Sequence, residues 1–234
     1  MKISVVSWNI LRGEQYDKIL ETLKSLNADI IGLQEVAVWN DDRGDIGKKL
    51  SQDLGWHYAS CKALDGAVSH KTYDLHNSIL SRFEIKNTSC HLLSPPERYE
   101  GDWMTEPRAA VSVEVIINER SLHVINTHIY YPRDDGQSAI SEMHFKNLEM
   151  ILPKERTVLT GDFNAPMTVG PMKKLEEVLR NVDLKQTEHT FTDRQGKKLR
   201  LDHIFASHEL KVENFEVIHA DGSDHLPIKA VISL

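Results

Sequence analysis

The sequence predicts an α/β fold in which two packed sheets carry helices on their outer faces. Two observations carry this expectation. Apolar runs of strand length outnumber the helical segments past residue 55, and the amphipathic helical segments are few and widely separated. A single parallel sheet would need a crossover helix between successive strands. With 234 residues and 40% hydrophobic content, the chain is expected to form one domain over residues 1–234 with a substantial core. No Pro-, Gly- or Ser-rich linker, internal repeat or charge block divides it.

The opening "ISVVSWN" reads as a strand, because its apolar run is too short for the core of a signal peptide and is broken at Ser7 and Asn9. In "EQYDKILETLKSL", Tyr16, Ile19, Leu20, Leu23 and Leu26 share one helical face. "ADIIGLQE" is a compact apolar strand that ends in acid, and a second amphipathic helix over 45–54 stops at Gly55. Strands follow at 76–82, 109–117 and 121–128, the last two joined by a tight "NER" turn. Helices near 138–151 and 171–180 flank "TVLTGDFN", and "LRLDHIFAS", "LKVENFEVI" and "LPIKAVISL" supply the closing strands. No stretch approaches twenty apolar residues, so no membrane span is expected. Cys61 and Cys90 lack metal or redox spacing, and the expectation is a reducing compartment, the cytoplasm.

A net charge of −7 argues against an extended nucleic-acid surface, which would cluster Lys and Arg along a phosphate track. It leaves room for phosphate chemistry at one site where a metal ion supplies the positive charge. The polar groups are placed accordingly. Apolar strands end in turn at Asn9, Glu35, His128, Asp162 with Asn164, Asp202 with His203, and Asp224 with His225. Asp162 and Asn164, two apart in "VLTGDFNAPM", would point to the same side of an extended segment, while the bland reading of the same letters is a turn. A lone strand-end histidine is more often a structural hydrogen-bonder. Six polar strand ends of one kind point instead to carboxylates, amides and imidazoles gathered to hold a hard divalent cation and handle a phosphate.

"SWNI", "LQEV", "HNSILSR", "NTH", "GDFN", "LDHIF" and "SDHLP" occur in the order and approximate spacing of the endonuclease/exonuclease/phosphatase superfamily, the deoxyribonuclease I-like metal-dependent phosphohydrolases. The resemblance runs from residue 3 to residue 231. It implies a four-layered α/β/β/α sandwich, two packed and mainly antiparallel sheets flanked by helices, with the active site at one end of the sheets.

The resemblance also implies roles. Glu35 corresponds to the main Mg2+ ligand, with Asn9 beside it and Asp224 on the metal side; Mn2+ is the expected substitute. Asp162 corresponds to the residue that orients or deprotonates the attacking water, and Asn164 to its partner. His225 matches the essential histidine, Asp202 its buried carboxylate, and His128 the second histidine at the phosphate or leaving group. Arg108 and Asn77 correspond to substrate-facing positions, with a salt-bridge role the equal alternative for Arg108 and with His76 standing where relatives commonly carry Gly. His203 is read as structural, and the remaining histidines, His144 among them, as surface residues. Trp39, Trp56 and Trp103 read as core or rim residues.

The implied activity is Mg2+-dependent hydrolysis of a phosphate ester, a nuclease-like phosphodiesterase first, by in-line attack of an activated water. "LQEV" differs from the "QETK" form of abasic-site endonucleases, and "LDHIF" from the "WCDRIL" form of inositol-polyphosphate phosphatases. The alternatives are a sphingomyelinase-like or small-molecule phosphoesterase, a dinuclear metallophosphatase of unrelated fold, and an inactive binding module of the same fold. A monomer is expected, acting on a phosphate-ester substrate with nucleic acid among the candidates. Loops 62–75, 91–107 and 129–137 are the expected substrate contacts.

Overall fold

The computed structural model describes residues 1–101, 105–130, 139–153, 155–185 and 188–234, Arg98 by its backbone only. The first sheet is formed by β1 (Lys2–Asn9), β2 (Ile30–Trp39), β3 (His57–Leu64), β4 (Tyr73–Ser81), β13 (Lys211–Val217) and β14 (Ile228–Ser233), in the order β13-β14-β1-β2-β4-β3. The second is formed by β5 (Ile85–Leu92), β6 (Ala109–Ile117), β7 (Arg120–His128), β8 (Thr157–Asp162), β9 (Arg180–Asn181) and β12 (Asp202–Ala206), in the order β5-β6-β7-β8-β12-β9. A small hairpin, β10 (Phe191–Thr192) with β11 (Lys198–Leu199), stands apart.

Each sheet is antiparallel except for one pair. β1 and β2 run parallel, linked through helix α1 (Tyr16–Ser25), and β7 and β8 run parallel, linked through α4 (Ala139–Ile151). A parallel pair needs a crossover of this length, which is why the two longest helical periodicities fall in these two intervals. Three further helices are α2 (Ile46–Leu54), the one-turn α3 (Gly66–Ser69) and α5 (Gly170–Val178). Asp45 caps α2 by accepting the Lys48 N–H, and Gly55 ends it in the left-handed region at φ 71°, as the sequence predicts.

Three apolar clusters define four layers. Val5, Ile30, Ile79, Val111, Val113, Val124, Val158, Ile204 and Ile232 pack between the sheets. Trp8, Ile19, Leu23, Ile31, Leu33 and Leu50 pack the first sheet against α1 and α2. Phe145, Leu148, Leu159, Phe163, Met172, Leu175 and Phe205 pack the second against α4 and α5. Alternate residues of β1 thus serve two different cores, the period-2 rule applied to a strand buried on both faces.

Polar side chains also cross the inter-sheet space. Gln34 Nε2 donates to Asn126 Oδ1 (2.6 Å) and Ser7 Oγ (3.1 Å), Asn126 Nδ2 donates to the Leu33 and Ser78 carbonyls, and Thr160 Oγ1 donates to Asn126 Oδ1, all within fully buried surroundings. Gly32 makes room for this network, since a Cβ there would lie 2.1 Å from Thr160 Oγ1. A buried polar network with its partners fixed locks one sheet's register on the other.

Besides the two-residue strands β9, β10 and β11, two longer strands escape the hydrophobic pattern, β3 and β5. Each is the edge strand of its sheet, and β5 ("IKNTSCHL") is largely exposed, so neither carries a clean alternation. A disulfide between Cys61 of β3 and Cys90 of β5 joins the two edges across the sandwich. The two cysteines therefore do not support the expectation of a reducing compartment, because such bonds persist in oxidising surroundings. No helix among the described residues is long and apolar enough to cross a membrane.

Candidate active site

The topology brings the polar strand ends to one end of the sandwich. Asn9 and Glu35 lie toward the C-terminal ends of one parallel pair, and His128 and Asp162 at the C-terminal ends of the other. Strand β12 runs antiparallel to β8 and so begins at this end, pairing Asp202 with Asp162. Likewise β14 begins with Ile228 opposite Ser7, putting His225 beside the end of β1.

Asp162, 1% exposed, is the centre of the constellation. Its Oδ1 accepts the Asn164 backbone N–H (2.9 Å) and its Oδ2 accepts Asn9 Nδ2 (3.0 Å). The same Oδ2 lies 3.4 Å from His128 Nε2 and 3.6 Å from His225 Nε2. Strand β8 stops at Asp162, and Asn164 lies in the left-handed region at φ 51°. The segment is therefore not extended through Asn164 as the same-side expectation required; it closes an Asx turn, and the turn aims both side chains into the site. Gly161 fits beneath it because a Cβ there would lie 2.6 Å from the Thr127 carbonyl oxygen.

Asn9 ties the two sheets together. Its Oδ1 accepts the Leu11 N–H (3.1 Å), which fixes the amide so that Nδ2 donates to Glu35 Oε1 (3.2 Å) on its own sheet and to Asp162 on the other. Glu35 itself sits at a register shift between Leu33 and Val36, with φ 51°. Leu11, Arg12 and Gly13 also have positive φ, so backbone strain concentrates around this corner, as it does at functional sites.

The histidines differ in charge state. His225 Nδ1 lies 2.8 Å from Asp202 Oδ2, and the Trp8 indole N–H holds the His225 carbonyl (2.9 Å). Burial alone would lower the pKa of His225, but Asp202 and then Asp162 override it and push it up to about 10. For His128, burial followed by the charges of Arg108 and His225 holds the ring well below its usual range, neutral. Asn164 Nδ2 donates to the Ile129 carbonyl (3.0 Å), so its other N–H faces His128 Nε2 (3.0 Å), which must accept; the His128 proton therefore resides on Nδ1. Burial raises Asp162 to about 7 against the lowering pull of His225.

A cleft lined by Glu35, His76, Asn77, Glu106, Arg108 and His128 opens beside this cluster. The Arg108 side chain is only 9% exposed; its Nη2 is 3.6 Å from Glu106 and its Nε has no hydrogen-bond partner. Asn77 Nδ2 donates to the Ala109 carbonyl (2.8 Å), a bond between the two sheets. His76 is held by Ser60 Oγ (2.8 Å), while the hydrogen bond to His128 comes from Asn164. Asp224 is exposed and reaches Asn9 only through Ser223, whose Oγ donates to the Asn9 carbonyl (2.7 Å) and lies 3.3 Å from Asp224 Oδ1.

His203 is structural as expected, with Nε2 2.9 Å from the Ala165 carbonyl and its ring among Phe163 and Phe205. His144 is a correction: it is fully buried on α4 rather than on the surface, because that helix turns this position toward the second sheet. Of the expected substrate loops, residues 102–104 and 131–137 lie outside the described residues, as does Trp103; Trp39 and Trp56 pack at the rim of the outer core. Sequence reasoning missed Trp8, Ser223 and Arg12. Their adjacency to Asn9 and His225 in "SWNILRG" and "SDH" was the available signal.

The donors present suit a hard divalent cation. Glu35 is partly open, with a side chain 21% exposed, and Asp202 Oδ1 is buried with no partner. Atoms of Asp162, Asp202 and His225 also lie within 4.8 Å of one another, and because the charged His225 has no lone pair to offer, the carboxylate oxygens are what this cluster can give a cation. A sparse, oxygen-rich set completed by water and substrate oxygens is what Mg2+ takes.

Among curated proteins no sequence match was found. Solved structures do share the fold. An endonuclease/exonuclease/phosphatase from Beutenbergia cavernae DSM 12333 superposes with TM-score 0.80 at 18% identity, over 100% of this chain and 72% of that one. A mannosyl-6-phosphatase of Bacteroides thetaiotaomicron VPI-5482 gives 0.77 at 21%, over 99% and 100%. The human Nocturnin catalytic domain gives 0.72 at 20%, over 99% and 94%. The family model for the Endonuclease/Exonuclease/phosphatase family matches residues 6–225. With the four layers and the site in place, the chain belongs to that family of phosphoester hydrolases.

Proposed function

We propose that this protein is a divalent-cation-dependent phosphodiesterase that hydrolyses its substrate by in-line attack of water. The observation that carries the reading is Asp162, buried, set between a charged and a neutral imidazole and linked through Asn9 to Glu35. A carboxylate whose basicity is raised by burial is suited to orient a water and accept its proton. His225, held charged by Asp202, donates from Nε2 to a non-bridging phosphoryl oxygen, and Asn164 fixes the neutral His128 alongside. Arg108, which lines the neighbouring cleft, adds its positive charge on the same side. Mg2+, with Mn2+ as substitute, would be held by Glu35, whose carboxylate Asn9 Nδ2 positions, and when bound it withdraws charge from the phosphoryl and leaving oxygens.

A second reading has its own support. The fold matches a mannosyl-6-phosphatase over 99% of this chain, which favours a sugar-phosphate monoester. The test is turnover of bis(p-nitrophenyl) phosphate, p-nitrophenyl phosphate, mannose 6-phosphate, sphingomyelin and single- and double-stranded oligonucleotides with Mg2+. The expected result is diester turnover at least tenfold above monoester, abolished by chelation. Preference for the sugar phosphate would replace the diesterase reading with the second, and turnover of sphingomyelin alone would move it to a lipid head group.

A further inference from the structure

The turn after Asn9 presents a guanidinium that the proposed chemistry does not use. Arg12 has φ 62° and follows Leu11 at φ 44°, two non-glycine residues in the left-handed region. Gly13 is clamped against α2, where a Cβ would lie 2.4 Å from Ile46 Cγ2. Such strain persists only where the surroundings impose it. Its result is to hold Arg12 beside Glu35, with Nη1 3.9 Å from Glu35 Oε2. Nε and Nη2 are both engaged by Glu14 Oε1 at 2.8 Å, whereas Nη1 is beyond hydrogen-bond distance of Glu35 and has no hydrogen-bond partner among the described residues. The Arg12 side chain is 29% exposed.

A fixed positive charge next to the principal carboxylate of a cation site weakens cation binding. Once a cation sits at Glu35, the arrangement is favourable when an anion lies against both positive charges. The proposed chemistry already places Arg108 and His225 at the scissile phosphate, and Arg12 is not among the residues lining the cleft that holds Arg108. Neighbouring cations are committed elsewhere: Arg43 makes a bidentate pair with Asp41 while stacked 3.3 Å over Trp39, and Lys71 is paired with Glu106.

We propose that Arg12 is a specificity residue that binds a second phosphate, one linkage from the scissile one, and so selects substrates carrying consecutive phosphates. This rests on the phosphodiesterase reading. The test compares the dinucleotide TpT with its 5′- and 3′-phosphorylated forms, by calorimetric binding with Ca2+ in place of Mg2+ and by kcat/KM with Mg2+. One phosphorylated form is expected to bind at least tenfold more tightly than TpT; the preference falls to within about twofold in Arg12→Ala and is partly kept in Arg12→Lys, with the thermal midpoint unchanged. Equal loss for TpT and the phosphorylated forms, or a preference that survives Arg12→Ala, overturns the proposal. Binding preference intact but no dinucleotide cleaved sinks the phosphodiesterase reading and leaves the Arg12 assignment standing.

Discussion

Asp202 Oδ2 receives His225 Nδ1 at 2.8 Å, while its Oδ1 is buried with no partner. A carboxylate so placed holds the imidazole in one orientation and keeps it charged. Asp202→Asn is therefore expected to lower kcat by about 100-fold or more with the far-UV spectrum and thermal midpoint nearly unchanged. Turnover equal to wild type would leave Asp202 a structural role only.

Glu35 shares Asn9 with Asp162 and has a carboxylate oxygen left over for a cation. Replacing it with Gln removes the charge but keeps the shape. Activity of Glu35→Gln should vanish at low Mg2+ and partly return at high Mg2+, with weaker Mn2+ binding by paramagnetic titration. The same fractional loss at every metal concentration would place the cation elsewhere.

His144 is buried; burial, then the charge of Arg108, lowers its pKa to about 3 against the raising effect of a hydrogen bond with the Tyr130 backbone. In the unfolded chain the ring titrates near 6.5, so between about pH 6.5 and 3 the unfolded state binds the extra proton. Stability is then expected to be fully present above pH 6.5 and to fall as the pH drops, by up to about 1.4 kcal/mol per pH unit for this one proton. Urea midpoints for wild type and His144→Leu at pH 7.5 and 5 measure it: the variant should lose less on acidification. Parallel losses would show that His144 does not carry the dependence.

The Cys61–Cys90 disulfide links the edge strands of the two sheets with a sequence separation of 29. A loop of that size corresponds to about 3 to 4 kcal/mol of chain-entropy stabilisation. Cys90 is exposed, so a dithiol should reach the bond under native conditions. Denaturant unfolding with and without dithiothreitol, set against Cys61→Ser, should show the reduced and variant proteins alike and both less stable than the oxidised one. Identical curves for oxidised and reduced protein would mean the bond contributes nothing.

The sequence by itself determined the layers and the end of the molecule where chemistry resides. Period-2 runs and two amphipathic helices at crossover positions leave few ways to bury both faces of β1 and β8, and the polar letters at strand ends mark where that burial stops. What it left mixed is the division of labour within each motif. In "LQEV" Gln34 binds the opposite sheet while Glu35 faces the cleft, and in "NTH" Asn126 and His128 divide in the same way. Adjacent polar letters look equivalent in one dimension; only the packing of one sheet on the other decides which is buried as a tie. The edge strands, the disulfide between them and the buried His144 likewise belong to tertiary structure alone. Each depends on what a distant strand or helix places opposite, and local periodicity carries no record of that.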